Sequence, residues 1–226
     1  MKQLFSYDSP VSQALFKFCW ACCLGAVWLV CSLPVFTMGA ATTALYAVMI
    51  KLVRDLEGTS PLRQFFAAFR ENFKQATVLW LMLLTVGVFL GADLYVLSHL
   101  RSSASGAPAV FWTLLFAVLL AASLIYAVIV LYTFPLLSYF ENNSRAMLLN
   151  AFLVGVRYLF VTILLLALHV GVAWVTINLF TPLFAFGEGL CALGSSYLLS
   201  NVFYSLSGEE RPGKEEPEDE PGEEAQ

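Results

Sequence analysis

The chain has 226 residues, of which 59% are hydrophobic and only 12% charged; its net charge is −4 and its mean hydropathy +0.77. This apolar share exceeds what a soluble core requires, because ordinary globular domains carry about 25% charged residues. The composition excludes an ordinary soluble domain and gives no basic surface for nucleic acid. It predicts an all-α, polytopic membrane helix bundle.

Apolar runs mark the predicted membrane spans, each close to the ~20 residues that a helix needs to cross the hydrocarbon core. Five are long, and helix 2 is short enough to be either a full span or a re-entrant segment. The six runs lie at 15–36, 38–53, 76–98, 109–134, 158–180 and 185–206. A cleaved signal peptide is the alternative for the first, but Asp8 and Lys17 precede or begin it and its length is too great. We interpret it as a retained anchor.

A hairpin is predicted between the first two spans, within SLPVFTMGAATTALY at 32–46. Pro34 ends helix 1 because proline cannot continue the helical hydrogen bonds, and 37–39 turns the chain. Small residues then allow close packing of helices in lipid. They are Gly39, Ala40, Thr43 and Ala44 in helix 2, and Gly87 and Gly91 in helix 3. Contacts within one chain are the preferred explanation for these residues, and a dimerisation face is the alternative.

The distribution of Lys and Arg predicts the topology, since cytoplasmic flanks of spans are enriched in both. With six spans and a cytoplasmic N-terminus, only Arg101 falls outside. The predicted cytoplasmic positions are Lys2, Lys17, Lys51, Arg54, Arg63, Arg70, Lys74, Arg145, Arg157, Arg211 and Lys214. Both termini are therefore expected in the cytoplasm of a bacterial cell membrane.

Four stretches resemble the YesL family, bacterial membrane proteins of unknown function. They are LFSYDSP at 4–10, SLPVFTMGAATTALY at 32–46, KLVRDLEG at 51–58 and FFAAFRENFKQAT at 65–77. The resemblance is specific over about residues 1–100. By genomic setting it implies association with carbohydrate uptake of the ABC type, and it implies no catalytic residues.

Two cytoplasmic segments, 54–75 and 141–157, are predicted to form amphipathic helices in the membrane interface. The first begins with Ser60 as N-cap and Pro61 at the first helical position; the second begins near Ser144. Both offer aromatic and basic residues to a soluble or membrane partner, such as a sugar-transporter permease or ATPase. These candidates are Arg63, Phe66, Phe69, Arg70, Arg145 and Phe152. The alternative is that the phenylalanines only anchor the segments in the lipid headgroups.

The two segments also resemble each other, which suggests a weak internal repeat of about 15–98 and 109–206. Leu45-Tyr46 and Leu131-Tyr132 precede them at comparable distances. A chance match between two degenerate patterns explains the similarity equally well. In either case residues 1–206 form a single membrane domain.

Ionisable residues within spans are the natural candidates for a solute or proton path. Asp93, Asn178 and Glu188 are expected near the outer face, where they could line a vestibule, and His169 near the middle of a span. The structural alternative is that the two acids are hydrated at headgroup depth, and that His169 bridges two helices. An independent small-solute or ion carrier is the second functional hypothesis.

Enzymatic and metal chemistry find little support in the sequence. Four of the five cysteines lie in helix 1, where a thiol packs as a small hydrophobe. No hydrolase triad or metalloprotease motif is present, and an intramembrane carboxylate pair would have to be Asp93 with Glu188. We expect no enzyme, metal or cofactor.

The C-terminal 20 residues, 207–226, carry nine acidic and two basic residues against chain totals of 16 and 12. Such a segment is typical of a disordered tail. The chain lacks the phosphate-binding Gly-x-x-x-x-Gly-Lys-Ser/Thr motif, so any ATPase would be a separate chain. Together with these features, the resemblance to the YesL family implies an accessory or regulatory subunit for carbohydrate uptake.

Overall fold

The computed structural model describes residues 10–56, 60–179 and 186–208. These residues contain no strand and form seven α-helices with one short 3-10 helix, Val35–Thr37. The α-helices are α1 (Pro10–Ser32), α2 (Met38–Val53), α3 (Pro61–Ser103), α4 (Ala107–Leu137), α5 (Ser144–Arg157), α6 (Leu159–Asn178) and α7 (Gly187–Ser207). Most of the predicted acidic tail lies outside the described residues, as do Lys2, Arg211 and Lys214.

The surface of the bundle is apolar. Within the described ranges, α1, α2, α3, α4 and α6 are long and apolar enough to cross a membrane. In α4, no residue of the most apolar stretch is buried inside the protein. In α3 and in α6, 11% of the corresponding stretch is buried. Apolar surface of this extent is compatible with lipid as the solvent. The fold is a polytopic membrane helix bundle, as predicted; α7 is long enough to span but less apolar than the other five.

Helix α2 is the most enclosed of the spanning candidates, with 67% of its apolar window buried. The predicted hairpin precedes it: α1 ends at Ser32, and the hydroxyl of Thr37 lies 2.6 Å from the Cys31 carbonyl oxygen and 2.7 Å from that of Pro34. The first contact occupies a carbonyl group that the end of α1 leaves without a helical partner, and the second closes the turn itself. The chain can therefore reverse direction at once.

The small-residue face of α2 packs against α3 and α4. Gly39 is needed there because a Cβ atom would lie 2.5 Å from Trp80 Cβ and 2.9 Å from a ring carbon of Phe134. The next three members, Ala40, Thr43 and Ala44, are fully buried. Trp80 Nε1 donates a 2.7 Å hydrogen bond to the Val35 carbonyl oxygen. The hairpin tip is thus tied to the side of α3.

The structure corrects the prediction of a separate interfacial helix over 60–75. That segment and the third span form one continuous helix, α3, of 43 residues. No Gly or Pro occurs between Leu62 and Val86 to break it. Phe65 is fully buried, and Phe69 and Phe73 pack against the same core, so they cover protein rather than lipid.

The second predicted interfacial helix is a separate element, α5. Tyr158, with φ −109° and ψ 48°, breaks the chain between α5 and α6. Thr162 spans the break, because its hydroxyl donates to the Gly155 carbonyl oxygen at 2.8 Å. The same hydroxyl oxygen lies 2.9 Å from that of Tyr132 in α4. These bonds hold α4, α5 and α6 together at one point.

The glycine pair predicted to pack helix 3 contributes only one close contact. A Cβ at Gly87 would lie 2.5 Å from the Tyr126 hydroxyl oxygen, and that hydroxyl donates to the Leu83 carbonyl at 2.8 Å. A Cβ atom added at Gly91 would have no neighbour within 4 Å. Gly91 therefore contributes no packing contact, although α3 and α4 still meet beyond it, where the Arg101 guanidinium lies 4.7 Å from the Phe116 ring centroid.

Arg54 joins three helix ends at one end of the bundle, which we call the Arg54 end. Its guanidinium lies between the rings of Tyr139 and Tyr204, at 4.7 and 3.9 Å from their centroids. It also donates a 2.7 Å hydrogen bond to the Tyr139 hydroxyl. Beside it, Lys17 Nζ pairs with Asp55 at 2.7 Å. Cation–π and ionic contacts thus fix α1, α2, α4 and α7 relative to one another.

Candidate functional site

Helix α7 begins beside the middle of α1. A Cβ at Gly189 would lie 2.0 Å from the Ala21 carbonyl oxygen and 3.0 Å from Gly25 Cα, so the two backbones touch. Only glycine permits this approach, as in other close crossings of membrane helices. The contact places Glu188, the neighbouring residue, away from both ends of α1.

Glu188 lies within a group of polar side chains from three helices, which we call the Glu188 cluster. Tyr46, in the middle of α2, lies close enough to interact electrostatically with Glu188, and the buried hydroxyl of Ser195 has no hydrogen-bond partner among the described residues. Cys191 also faces Glu188. Tyr46, Cys191 and Ser195 are all at most 3% exposed, and Glu188 is half-buried. With His169, described next, these residues form the cluster.

His169 reaches the cluster from α6. Helices α6 and α7 pack closely at Gly194, where a Cβ would lie 3.0 Å from Leu168 Cδ2. The imidazole of His169 interacts electrostatically with Glu188, although the two do not form a direct ion pair among the described contacts. Its Nδ1 lies 2.8 Å from the Leu165 carbonyl oxygen. His169 is therefore oriented by a hydrogen bond within its own helix.

The cluster offers one carboxyl group, one imidazole, two hydroxyl groups and a thiol. Ser196, next to it in sequence and fully buried, has a hydroxyl with no hydrogen-bond partner in the described part of the chain, so it can bond a water molecule. Within 10–56, 60–179 and 186–208, no group of three or more His, Cys, Asp or Glu side chains could hold a metal ion. The chemistry available is hydrogen bonding and proton exchange.

The structure does not form the predicted vestibule of Asp93, Asn178 and Glu188. Asp93 is exposed on α3, which packs on α2 and α4, whereas α7 packs on α1, α2 and α6. Asn178 is also exposed, and its amide donates to the Trp174 carbonyl one turn earlier. Glu188 belongs to the bundle interior because the Gly189 contact draws the start of α7 against the middle of α1.

Sequence reasoning missed Tyr46, Cys191 and Ser195 as neighbours of Glu188. A local signal was present, because Glu188, Cys191 and Ser195 are spaced i, i+3 and i+7 and so share one face of a helix. The contribution of Tyr46 had no such signal, since it depends on the packing of α2 against α7.

A second surface lies on the first part of α3. Arg63, Phe66, Arg70 and Lys74 follow the spacing i, i+3, i+7 and i+11 and share one side of the helix. We call them the Arg63 stripe. All four are exposed, Phe66 by 45%. The stripe combines three positive charges with one uncovered aromatic ring.

The other predicted partner contacts are distributed differently. Phe69 is half-buried and stacks on Phe65, with ring centroids 6.4 Å apart, so it belongs to the core side of α3. On α5, Arg145 is exposed and Phe152 half-buried. Only Arg63, Phe66 and Arg70 of the predicted set form one continuous surface.

A cavity of about 320 Å³ opens near the Arg54 end, between the end of α4, α5 and the end of α7. Its walls are mainly apolar, with Asn142, Asn150 and Arg157 as polar members. Gln75 of α3 donates a 2.6 Å hydrogen bond to the Asn142 carbonyl oxygen at its margin. The cavity therefore lies close to the base of the Arg63 stripe.

Comparison with known proteins finds similarity to proteins that are themselves uncharacterised. The family described as "Protein of unknown function, DUF624" matches residues 21–94. YesL of Bacillus subtilis (strain 168), described as uncharacterized, is 28% identical over 186 residues, covering 81% of this chain and 84% of YesL. These similarities support a YesL-like family of unknown function.

A second relative of this YesL-like chain is the uncharacterized protein YteU of the same organism. It is 30% identical over 140 residues, which are 61% of this chain and 59% of YteU. No solved structure matches the chain significantly. The DUF624 match contains the hairpin, Tyr46 and the Arg63 stripe, but ends before His169 and Glu188.

Proposed function

We propose that this YesL-like protein is an accessory or regulatory membrane subunit of a carbohydrate uptake system of the ABC type. The Arg63 stripe would be its contact with the permease or ATPase of that system. The association with carbohydrate uptake comes from the family resemblance. The exposed aromatic ring among three exposed cations is the observation that supports a docking role. The proposal assigns no catalytic step to the chain.

The stripe is suited to water rather than hydrocarbon. Arg63, Arg70 and Lys74 are exposed, and charged side chains at the centre of a bilayer are costly. The opposite side of the same helix is already covered, because Phe65 is fully buried against the core. Phe66 is therefore not needed to hold α3 in place. An exposed ring beside cations fits an acidic protein surface with an apolar recess.

Anionic lipid headgroups would also attract the three cations. A protein partner and a lipid surface would depend on Phe66 to different degrees. A lipid surface tolerates replacement of one ring, since the charges supply most of the attraction, whereas an aromatic anchor in a protein pocket carries much of the binding energy. Replacement of Phe66 alone therefore separates a protein contact from headgroup anchoring.

The experiment is purification of a tagged copy from its native host in mild detergent, after growth on polysaccharide, followed by mass spectrometry. Phe66→Ala and the double variant Arg63→Gln/Arg70→Gln test the stripe. Phe89→Ala is the matched control. Phe89 lies in the apolar part of the same helix, and its side chain is 67% exposed. We expect wild type and Phe89→Ala to recover a sugar-transporter subunit, and both stripe variants to lose at least about tenfold of it.

Equal recovery of that subunit by wild type and Phe66→Ala, with equal membrane insertion, would contradict docking through the stripe. Recovery of the chain alone, even from wild type, would favour the second candidate, an independent small-solute or ion carrier. The interior position of His169 and Glu188 supports that candidate. It predicts that Glu188→Gln abolishes flux in proteoliposomes, whereas Asp93→Asn, at an exposed site, retains it.

A further inference from the structure

We propose that the cavity near the Arg54 end binds one anionic phospholipid of the membrane, with an acyl chain between α4, α5 and α7 and the phosphate group beside Arg157. The proposal depends on neither function above, because it concerns a lipid ligand and not transport or the docking of a protein.

The interior of the cavity is suited to a hydrocarbon chain. Its buried walls are Leu136 at the end of α4 and Met147 and Val154 on α5, all at most 7% exposed. Phe140 and Leu206 add apolar surface from two further segments. The volume of about 320 Å³ lies at the lower end of the range for small-molecule sites. Such walls offer water few hydrogen bonds, so they favour an apolar occupant.

The polar groups of the cavity come from one side of α5 and from the residue before it. Asn150 and Arg157 are seven positions apart and share a face of the helix, and Asn142 precedes the helix. Arg157 is exposed, and its guanidinium forms no ion pair within residues 10–56, 60–179 and 186–208. A guanidinium group matches a phosphate through two parallel hydrogen bonds, and an amide can donate to another phosphate oxygen. The cavity therefore joins a hydrocarbon site to a phosphate site.

The cavity wall continues into the apolar outer surface of the bundle. Arg157 is the last residue of α5, and the spanning helix α6 begins two positions later at Leu159. Leu159 and Phe160 are 59% and 74% exposed, and Leu153, on the cavity wall, is 53% exposed. An acyl chain can therefore enter sideways from the bilayer without crossing water. This continuity favours a membrane lipid over a soluble phosphate compound.

The charge at this position selects an anionic headgroup. A cation that directly precedes a span lies at the depth of the headgroup phosphates, and basic pockets between membrane helices bind anionic headgroups there. Glu141, the acidic residue before Asn142, is exposed and does not pair with Arg157 in the described part of the chain. A zwitterionic headgroup would bring its own cation towards Arg157. An anionic headgroup has no such cation, so it should bind more tightly.

The test is native mass spectrometry of the full chain, delipidated in mild detergent and titrated with phosphatidylglycerol or phosphatidylcholine of identical acyl chains. We expect wild type to bind one phosphatidylglycerol at saturation, at least about fivefold more tightly than phosphatidylcholine. Arg157→Gln should lose most of this preference, and Arg157→Lys, which keeps the charge, should retain part of it. Arg145→Gln is the matched control, because Arg145 is exposed on the same helix but does not line the cavity. It should change the affinity by less than about twofold.

A second pair of variants tests the position of the acyl chain. Leu153→Trp narrows the cavity at an exposed wall residue, so it should weaken phosphatidylglycerol binding by at least about fivefold. Leu149→Trp is the matched control, since Leu149 is 59% exposed one turn earlier on α5 and does not line the cavity. Both positions are exposed, so the fold should tolerate either ring, and size-exclusion profiles check this.

Equal affinity of wild type for the two lipids would overturn the proposal, as would equal losses in Arg157→Gln and Arg145→Gln, which indicate a general surface attraction. Unchanged binding in folded Leu153→Trp would also overturn it, because the chain would then lie elsewhere. Displacement of phosphatidylglycerol by excess inorganic phosphate would show that the site takes a free phosphate and not a phospholipid. Flux and partner recovery are not read in this experiment, so its failure leaves both functional candidates as they stand.

Discussion

Tyr132 donates its hydroxyl hydrogen to the hydroxyl oxygen of Thr162 across 2.9 Å. The direction of this bond follows from a second hydrogen bond of Thr162. Its hydroxyl donates to the Gly155 carbonyl oxygen at 2.8 Å, because a carbonyl oxygen can only accept. Tyr132 and Thr162 are at most 1% exposed. The two hydroxyls thus form a directed chain from α4 through α6 to α5.

This direction predicts unequal effects of two substitutions. Tyr132→Phe removes a donor and leaves Thr162 still bonded to Gly155, so it should cost about 1 kcal/mol. Thr162→Val leaves both the Tyr132 hydroxyl and the Gly155 carbonyl without this partner, and should cost roughly 2 kcal/mol or more. Thermal unfolding in detergent, followed by circular dichroism, measures both. Equal losses of stability would mean that the chain of bonds runs differently.

Two glycines give a second matched comparison. Gly189→Ala should destabilise the bundle strongly, because the new Cβ would lie 2.0 Å from the Ala21 carbonyl and backbone must move. Gly91→Ala, with open space around it, should be neutral or stabilising by up to about 1 kcal/mol, since alanine is the better helix former. Size-exclusion profiles after graded heating report both. A stable Gly189→Ala would contradict the close α1–α7 crossing.

The ion pair of Lys17 with Asp55 should respond asymmetrically. The Lys17 side chain is 11% exposed and that of Asp55 67%. Asp55→Asn leaves a buried ammonium group unpaired and should cost roughly 1–3 kcal/mol. Asparagine tolerates the left-handed φ of 53° at this position, so backbone strain does not contribute. Lys17→Met fills the same space without charge and should cost less; the reverse order in thermal unfolding would refute this explanation.

The orientation of the helices in the membrane is a prediction from the charge distribution. In a variant lacking the five cysteines, Ser103→Cys is the last residue of α3, on the predicted outer side, and Asn142→Cys precedes α5 on the predicted cytoplasmic side. An impermeant maleimide should label position 103 in intact cells and position 142 only after permeabilisation. The opposite pattern would reverse the topology and place the Arg63 stripe outside.

Local features of the fold were predictable from the sequence. Pro34 and the small residues after it specify the hairpin within 15 residues, and the structure has it there. The absence of any breaker between Leu62 and Val86 also pointed to one continuous helix, but the charges at 63–74 favoured a boundary that the backbone does not need. The charged residues at 63–74 indicate which part of α3 is in contact with water, but they do not end the helix.

The Glu188 cluster was only partly predictable. His169 and Glu188 stand out as ionisable residues in apolar runs, yet their separation of 19 positions says nothing about contact. Their meeting depends on Gly189 and Gly194, which set how deeply α7 enters between α1 and α6. Such distances between non-adjacent helices are a property of the assembled bundle, so no local pattern encodes them.

Helix α3 is about 65 Å long at roughly 1.5 Å per residue, whereas a bilayer with its headgroups is about 40–45 Å thick. Part of this continuous helix therefore extends beyond the thickness of one bilayer. Trp80 and Gly39 hold its middle beside the hairpin, and the buried Phe65 holds its first turns against the core. The Arg63 stripe is thus carried on a rigid extension of a membrane span, and not on a separate loop.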